Sequence, residues 1–300
     1  MRYFRRSLIA ICLLATSSQA LLAGSGARSL QFMEISVGAR QSAMGDASTV
    51  TADSNAVFYN PALINKLVLS SLSVSHNSWL AGITQQTAAG TFRTSHGTFG
   101  IGIIYLHMDE MDGYDIDGLG APVKISDFTA SDIMASISYA RELDGYNCGL
   151  SLKFVQESIE DESASGFCFD IGVQRNIDDF SFGISANNIG PKIKFIEKEE
   201  SIPLALSAGS NWQPQNLPVL VAADLKMPSG NDIEFGLGSE YTVKEMLSIR
   251  AGYRMANDNR DGFSAGLGIM VSDFTLDYAY TPFGELGNVH KISISIKLTQ

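Results

Sequence analysis

Basic residues, cysteines and long apolar runs are all scarce in this chain. Lys and Arg number 21 against 32 Asp and Glu, for a net charge of −11. That balance argues against nucleic acid as a partner, which requires a basic footprint. Only three cysteines occur, and Cys12 falls in the N-terminal apolar run. The four histidines, His76, His96, His107 and His290, are scattered. No Gly-x-Ser-x-Gly elbow, His-Glu-x-x-His pair or phosphate-binding loop is present, so no catalytic set, cofactor or metal is expected. Beyond residue 20 no stretch approaches the roughly 18 apolar residues of a spanning helix.

The N terminus reads as a secretory leader over residues 1–20. Arg2, Arg5 and Arg6 precede the apolar run Leu8 to Ala15, and Ser18-Gln19-Ala20 is a small-x-small cleavage site. Cleavage after Ala23 is an alternative, and the run is too short for a membrane anchor. Losing three arginines takes the net charge from −11 to −14.

From about Leu67 to the end, strict alternation recurs in fourteen segments of about eight to twelve residues. "GTFGIGIIYL" puts Phe99, Ile101, Ile103 and Tyr105 on one face and glycines on the other. "LSIRAGYR" sets Leu247, Ile249 and Tyr253 against Ser248, Arg250, Gly252 and Arg254. A soluble sandwich would carry Lys, Glu, Thr and Arg on its wet face. Here the second face is mostly Gly, Ser, Ala and Asn, and the apolar face is nearly free of charge, as contact with lipid demands. Tyr105, Tyr139, Trp212, Tyr241, Tyr253, Tyr278 and Tyr280 lie on the apolar face, mostly near strand ends. Lipid tolerates no open sheet edge. The expected fold is therefore all-β: a closed antiparallel transmembrane β-barrel of about 14 strands, in contact with outer-membrane lipid.

Short connections follow even strands, as in "SHG", "ELDG", "NIDD" and "TVKE". The longest follow the third strand, over residues 108–127, and the seventh, over residues 189–202. Bacterial barrels keep short turns in the periplasm. The first strand is thus expected to run outward, with both termini periplasmic.

The stretch Phe32 to Ile64 does not alternate. It contains Gly38-Ala39-Arg40, Met44-Gly45, Ala52-Asp53 and Asn60-Pro61-Ala62 in that order. These elements, with "SASGFCFDIGV", "NIGPKIKFI", "LSIRAGYR" and "DYAYTPFGELGNVHKISISIKL" downstream, resemble the PorV/PorQ family of outer-membrane proteins, itself similar to FadL-type barrels. Leu63 stands where that family usually has Gly, and the chain ends "KLTQ" rather than on an aromatic residue.

The resemblance implies a fourteen-stranded barrel over residues 67–300 with an N-terminal hatch, residues 21–66, folded into its lumen. Arg40, Asp53, Phe58, Tyr59, Asn60 and Pro61 would be hatch or gating residues. Pro61 pre-sets a turn, Asn60 can satisfy local backbone groups, and Phe58 and Tyr59 can pack inside a wall too wide to fill itself. A flexible exported tail is the alternative for the same residues. The resemblance also implies a non-enzymatic role in type IX secretion, with a translocon and the C-terminal sorting domains of cargo as partners at residues 108–127 and 189–202. The alternatives are a FadL-like channel for hydrophobic small molecules and, third, an enzyme acting on outer-membrane lipid.

Charges on the inward face suggest a lumen network. Lys226, Glu234 and Arg254 are expected to form one rung, with Arg250 nearby across Gly238, and Lys153 to pair diagonally with Asp170. Charge-paired struts or a conduction site both fit such a network. Cys148 is expected to face lipid and Cys168 the lumen, several residues out of register, leaving two free thiols. The acidic loop with Asp109, Glu110, Asp112, Asp115, Asp117 and Asp127 against Lys124 could attract calcium, but its spacing is not that of an EF-hand, and a solvated loop is the plainer reading.

Overall fold

Alternation of apolar and small residues forces each segment to present one greasy and one polar face, and a sheet with two such faces is stable in lipid only when closed. The computed structural model describes residues 30–117, 120–196, 198–256 and 262–298. The leader and its cleavage points, and Thr299-Gln300 of the terminal "KLTQ", lie outside the described residues.

Fourteen antiparallel strands form a closed barrel. They are β1 (Ser70–Ser78), β2 (Ile83–Thr94), β3 (Gly97–Met108), β4 (Ala130–Leu143), β5 (Tyr146–Ile159), β6 (Glu162–Ile177) and β7 (Phe180–Ile189). The second half comprises β8 (Ala205–Trp212), β9 (Val219–Pro228), β10 (Glu234–Val243), β11 (Leu247–Met255), β12 (Phe263–Val271), β13 (Phe274–Pro282) and β14 (Asn288–Leu298). Neighbours in sequence are neighbours in the wall, and the register Ser70↔Leu298 joins β14 to β1.

Burial follows the alternation. On β3, Phe99, Ile101, Ile103 and Tyr105 are outward and about half exposed, while Gly100, Gly102 and Ile104 are buried. On β11, Leu247, Ile249 and Tyr253 are outward and Ser248, Arg250 and Gly252 inward. Cys148 shares the outward face with Leu150 and Leu152, and Cys168 is buried. The register pairs Cys148 with Val173 and Cys168 with Lys153, and both thiols are free.

Three features depart from the sequence expectation. Strands β4, β5 and β6 run to 14, 14 and 16 residues, because their polar outer ends continue the ladder past the apolar band. The connection after β3 is not irregular: Met111–Ile116 pairs with Pro122–Phe128 in a hairpin. A smaller hairpin, Ile193–Phe195 with Lys198–Glu200, follows β7. Finally, β5 and β6 meet through the two residues Glu160 and Asp161, so one connection after an odd strand is short.

Inside the wall lies residues 30–66, folded as a 3-10 turn (Gln31–Glu34), a short helix (Ala39–Ala43) and two further 3-10 turns (Ser54–Phe58 and Pro61–Lys66). The local sequence explains the last two. Asp53 accepts from Asn55 N–H at the start of one. Asn60 accepts from Ala62 N–H at the start of the other, where Pro61 supplies a helical φ without needing a donor partner. Leu30 lies at the rim bearing the long loops, where its N–H meets Glu157 Oε2 at 3.4 Å. Lys66 lies at the short-turn rim, beside Asn176 and Ser181. The segment therefore threads the bore from one end to the other. Leu298 also sits at the short-turn rim, so Leu30 and Leu298, the two ends of the described chain, lie at opposite rims.

Candidate functional site

The glycines of the inward face exist to let this inner segment touch the wall's backbone. Gly45 has φ +64°, and a Cβ there would stand 2.6 Å from the Tyr253 carbonyl oxygen. A Cβ on Gly252 would lie 2.0 Å from Gly45 N, and one on Gly238 2.4 Å from the Met44 carbonyl oxygen. Further round, a Cβ on Gly149 would meet Ala62 N at 2.4 Å and one on Gly172 would meet Asn60 Oδ1 at 1.9 Å. Gly172→Ala is therefore expected to destabilise the protein by on the order of 1–3 kcal/mol. Gly90→Ala, which meets only flexible side-chain ends, should cost less. Thermal unfolding in detergent compares the two.

Polar contacts then fasten the segment. Asn60 is fully buried and donates to the Thr49 carbonyl at 2.9 Å. Tyr59 O–H donates to the Val37 carbonyl at 2.5 Å, and its own carbonyl accepts from Asn187 Nδ2 at 2.8 Å. Asp224 Oδ2 accepts from the N–H groups of Ser48 and Thr49 at 2.7 and 2.6 Å. Lys291 Nζ donates to the Ser36 carbonyl and to the hydroxyls of Ser36 and Ser42. Phe58, Val57, Leu63 and Ile64 fill the apolar part of the bore against Ile104 and Met134.

Three charge networks stand in the bore. In the first, Arg40 Nε and Nη2 donate to the two carboxylate oxygens of Glu240 at 2.9 and 2.8 Å. Glu240 also accepts from Arg250 Nε at 2.5 Å, and Arg250 Nη1 donates to Asp277 at 2.6 Å. Asp53 stands 3.8 Å from Arg40 Nη1 and accepts from Gln41 Nε2 at 2.5 Å.

In the second network Glu234 lies 3.8 Å from Lys226 and 2.9 Å from Arg254 Nη2, and Arg254 Nη1 lies 3.5 Å from Asp46. In the third, Lys153 is 2.7 Å from Asp170 on the diagonal and 2.8 Å from Asn188 Oδ1. One expected pairing is corrected. Arg254 stands opposite Gly236, and Arg250 opposite Glu240. The β10–β11 ladder continues to Val243↔Leu247, which moves the pairing by two residues and sets Arg250 opposite Glu240 rather than Gly238. Arg254 still reaches Glu234 diagonally.

The inner segment divides the bore. Toward the long loops lies a vestibule of about 890 Å³ bordered by Phe32, Trp79, Asp132, Phe283 and Arg254. Toward the short turns lies one of about 650 Å³ bordered by Arg40, Glu240, Arg250, Asp277 and Lys66. Outside the wall, Lys124 bridges Asp112 and Asp127 across the first hairpin at 2.6 and 2.8 Å. Lys124 holds the Asp112 carboxyl below its ordinary pKa.

A family model described as "Type IX secretion system membrane protein PorP/SprF" matches residues 51–296, which covers the end of the inner segment and nearly the whole wall. The chain belongs to this family. Among solved structures it is similar to a Pseudomonas aeruginosa FadL homologue, at TM-score 0.58 and 11% identity over 88% of this chain and 98% of that one. It is also similar to Acinetobacter baumannii Omp33, at TM-score 0.49 and 7% identity over 77% of this chain and 98% of that one. The first of these likenesses speaks for the barrel fold alone. No curated protein matches the chain.

Proposed function

We propose that this PorP/SprF family barrel is a non-enzymatic docking component of type IX secretion in the outer membrane, not a conduit. The observation that carries the reading is the filled bore. Ala39, Met44, Val57, Asn60, Leu63 and Ile64 are fully buried between the two vestibules, and the glycine faces bring the segment against the wall, leaving beside Thr49 and Tyr59 a cavity of only about 80 Å³. A wall so closed can still offer surfaces to other proteins. The long-loop rim faces outward, and the short-turn rim with Leu298 faces the periplasm, following the loop lengths.

The resemblance to PorV and PorQ adds a finer reading. The hairpin within residues 108–127 and the one within 189–202 contact a translocon and the C-terminal sorting domains of cargo. On the first hairpin Tyr114, Ile116 and Val123 are exposed, which supplies the apolar area a protein contact needs. Co-purification from detergent-solubilised membranes tests this. Recovery of a translocon or a sorting domain, lost when residues 111–128 are replaced by a short turn, is the expected result. Purification of the barrel alone under every condition would count against it.

The vestibules favour a second reading. A FadL-like channel would use them as entry and exit, with Arg40, Asp53, Phe58, Tyr59, Asn60 and Pro61 as a movable hatch. A hydrophobic ligand recovered from the bore would support that reading over docking.

A further inference from the structure

The two ends of the inner segment are fixed at different rims by several contacts each. Gln31, Phe32 and Glu34 border the long-loop vestibule together with Trp79, Asp132 and Phe283. Trp79 directly follows β1, Phe283 directly follows β13, and Asp132 lies at the start of β4, so all three mark the long-loop rim. At the other end Asn65 Nδ2 donates to Asn147 Oδ1 at 2.7 Å, and Lys66 reaches Asn176 and Ser181. Arg93 Nη1 donates to the carbonyls of Asn65 and Leu67 at 2.8 and 3.0 Å. Asn147 lies at the start of β5, and Asn176 and Arg93 at the ends of β6 and β2, which places these contacts at the short-turn rim. After Lys66 the chain passes through Leu67, Val68 and Leu69 and turns back up the wall as β1.

A chain that reaches Leu30 at the long-loop rim comes either from beyond that rim or back through the bore. The wall is a closed sheet, so no route passes between its strands. The bore is taken. Wall glycines stand so close to the segment that a Cβ at Gly252 or Gly172 would overlap it, and the space left beside Thr49 and Tyr59 is about 80 Å³. A second pass of polypeptide would also need partners for its own N–H and C=O groups. The wall side chains that could supply them, Asp224, Asn211 and Lys291, already bond the segment in place.

We infer that the chain enters the bore from the cell surface, so that the residues preceding Leu30 stand outside the cell with the long loops. This departs from the expectation of two periplasmic ends. It makes the amino-terminal approach, where Gln31 is exposed, part of the surface that an extracellular partner meets. A periplasmic partner is left with the Lys66 and Leu298 side. The inference rests on the long-loop rim facing outward, not on the secretion role.

Single cysteines read by side of the membrane test it, in the full chain with Cys12, Cys148 and Cys168 changed to serine. Gln31→Cys reports the segment's first end, Tyr114→Cys the long-loop rim and Val68→Cys the short-turn rim, and all three positions are exposed. Intact cells are treated with a maleimide bearing a polyethylene glycol chain too large to cross the membrane, and labelling is read as a gel shift. Gln31→Cys and Tyr114→Cys are expected to shift in intact cells, and Val68→Cys only after the outer membrane is opened. A short epitope inserted between Ala27 and Arg28 gives a second readout, and antibody should bind it on intact cells. The mobility of the unheated protein shows that each variant folds. Labelling of Tyr114→Cys in intact cells, with Gln31→Cys and the epitope reached only after opening, would overturn the threading while keeping the rim's orientation. Labelling of Val68→Cys but not Tyr114→Cys in intact cells would reverse the orientation and overturn the inference with it.

Discussion

Glu240→Ala is expected to lower the unfolding free energy by about 3 kcal/mol, the lower end of the range for stripping a buried ion pair of one partner. Glu240 is the shared acceptor of Arg40 and Arg250, and its loss leaves two guanidinium groups in the bore. Arg250 retains Asp277 at 2.6 Å, whereas Arg40 retains only Asp53 at 3.8 Å and a carbonyl. Partial exposure of the Arg40 side chain, 20%, is what keeps the expectation at the lower end. Lys226→Ala makes the contrast: its side chain is 31% exposed and its contact 3.8 Å, so under about 1 kcal/mol is expected. Equilibrium unfolding of both variants in detergent measures the difference, and equal losses would contradict the assignment. The double variant Arg40→Ala with Glu240→Ala should recover part of the stability lost by Glu240→Ala, because the orphaned charge goes with it.

Removal of residues 30–66 should turn a closed barrel into an aqueous pore. The inward face of the wall is glycine, serine and alanine for long stretches, and fourteen strands enclose more space than such side chains fill. Planar-bilayer recording should show a low conductance for the intact chain and one higher by on the order of tenfold or more after deletion. A milder variant guards against a deletion that fails to fold. Gly252→Leu leaves the chain intact but puts a side chain where Gly45 N lies 2.0 Å from an ideal Cβ. It should unseat the Ala43–Gly45 turn and give intermittent openings. Low conductance in both variants would mean that the bore is closed by something other than this segment.

The wall was legible because period two is a property of the chain alone. The two alternating stretches quoted above, Gly97–Leu106 and Leu247–Arg254, fall within β3 and β11. Face assignment followed, so Lys153, Asp170, Glu234, Arg250 and Arg254 were placed inward correctly, as were the two cysteines on opposite faces. Pairing was less legible. The turn of Lys244, Glu245 and Met246 has positive φ at its first two residues, and nothing in "TVKE" singles them out for that conformation. The partners of Glu240, Asp224 and Lys291 were invisible for a different reason. Each is a wall residue whose contact lies in the inner segment, some 175 to 255 positions away in sequence, and no periodicity links the two. Parity would have marked all three as inward charges. It could not say that Arg40, the Ser48–Thr49 backbone and Ser36 would meet them.

The most direct test is spin-label accessibility along β11. Single cysteines at positions 247 to 255, in a chain with Cys148 and Cys168 changed to serine, would be labelled in lipid bilayers. The account predicts a period of two. Labels at 247, 249, 251 and 253 collide with membrane-dissolved oxygen, those at 248 and 250 border the short-turn vestibule and meet a water-soluble nickel reagent alone, and the one at 252, against Gly45, reaches neither. Uniform nickel access along the strand, or nickel access at every even position, would contradict a greasy outer wall around a filled bore.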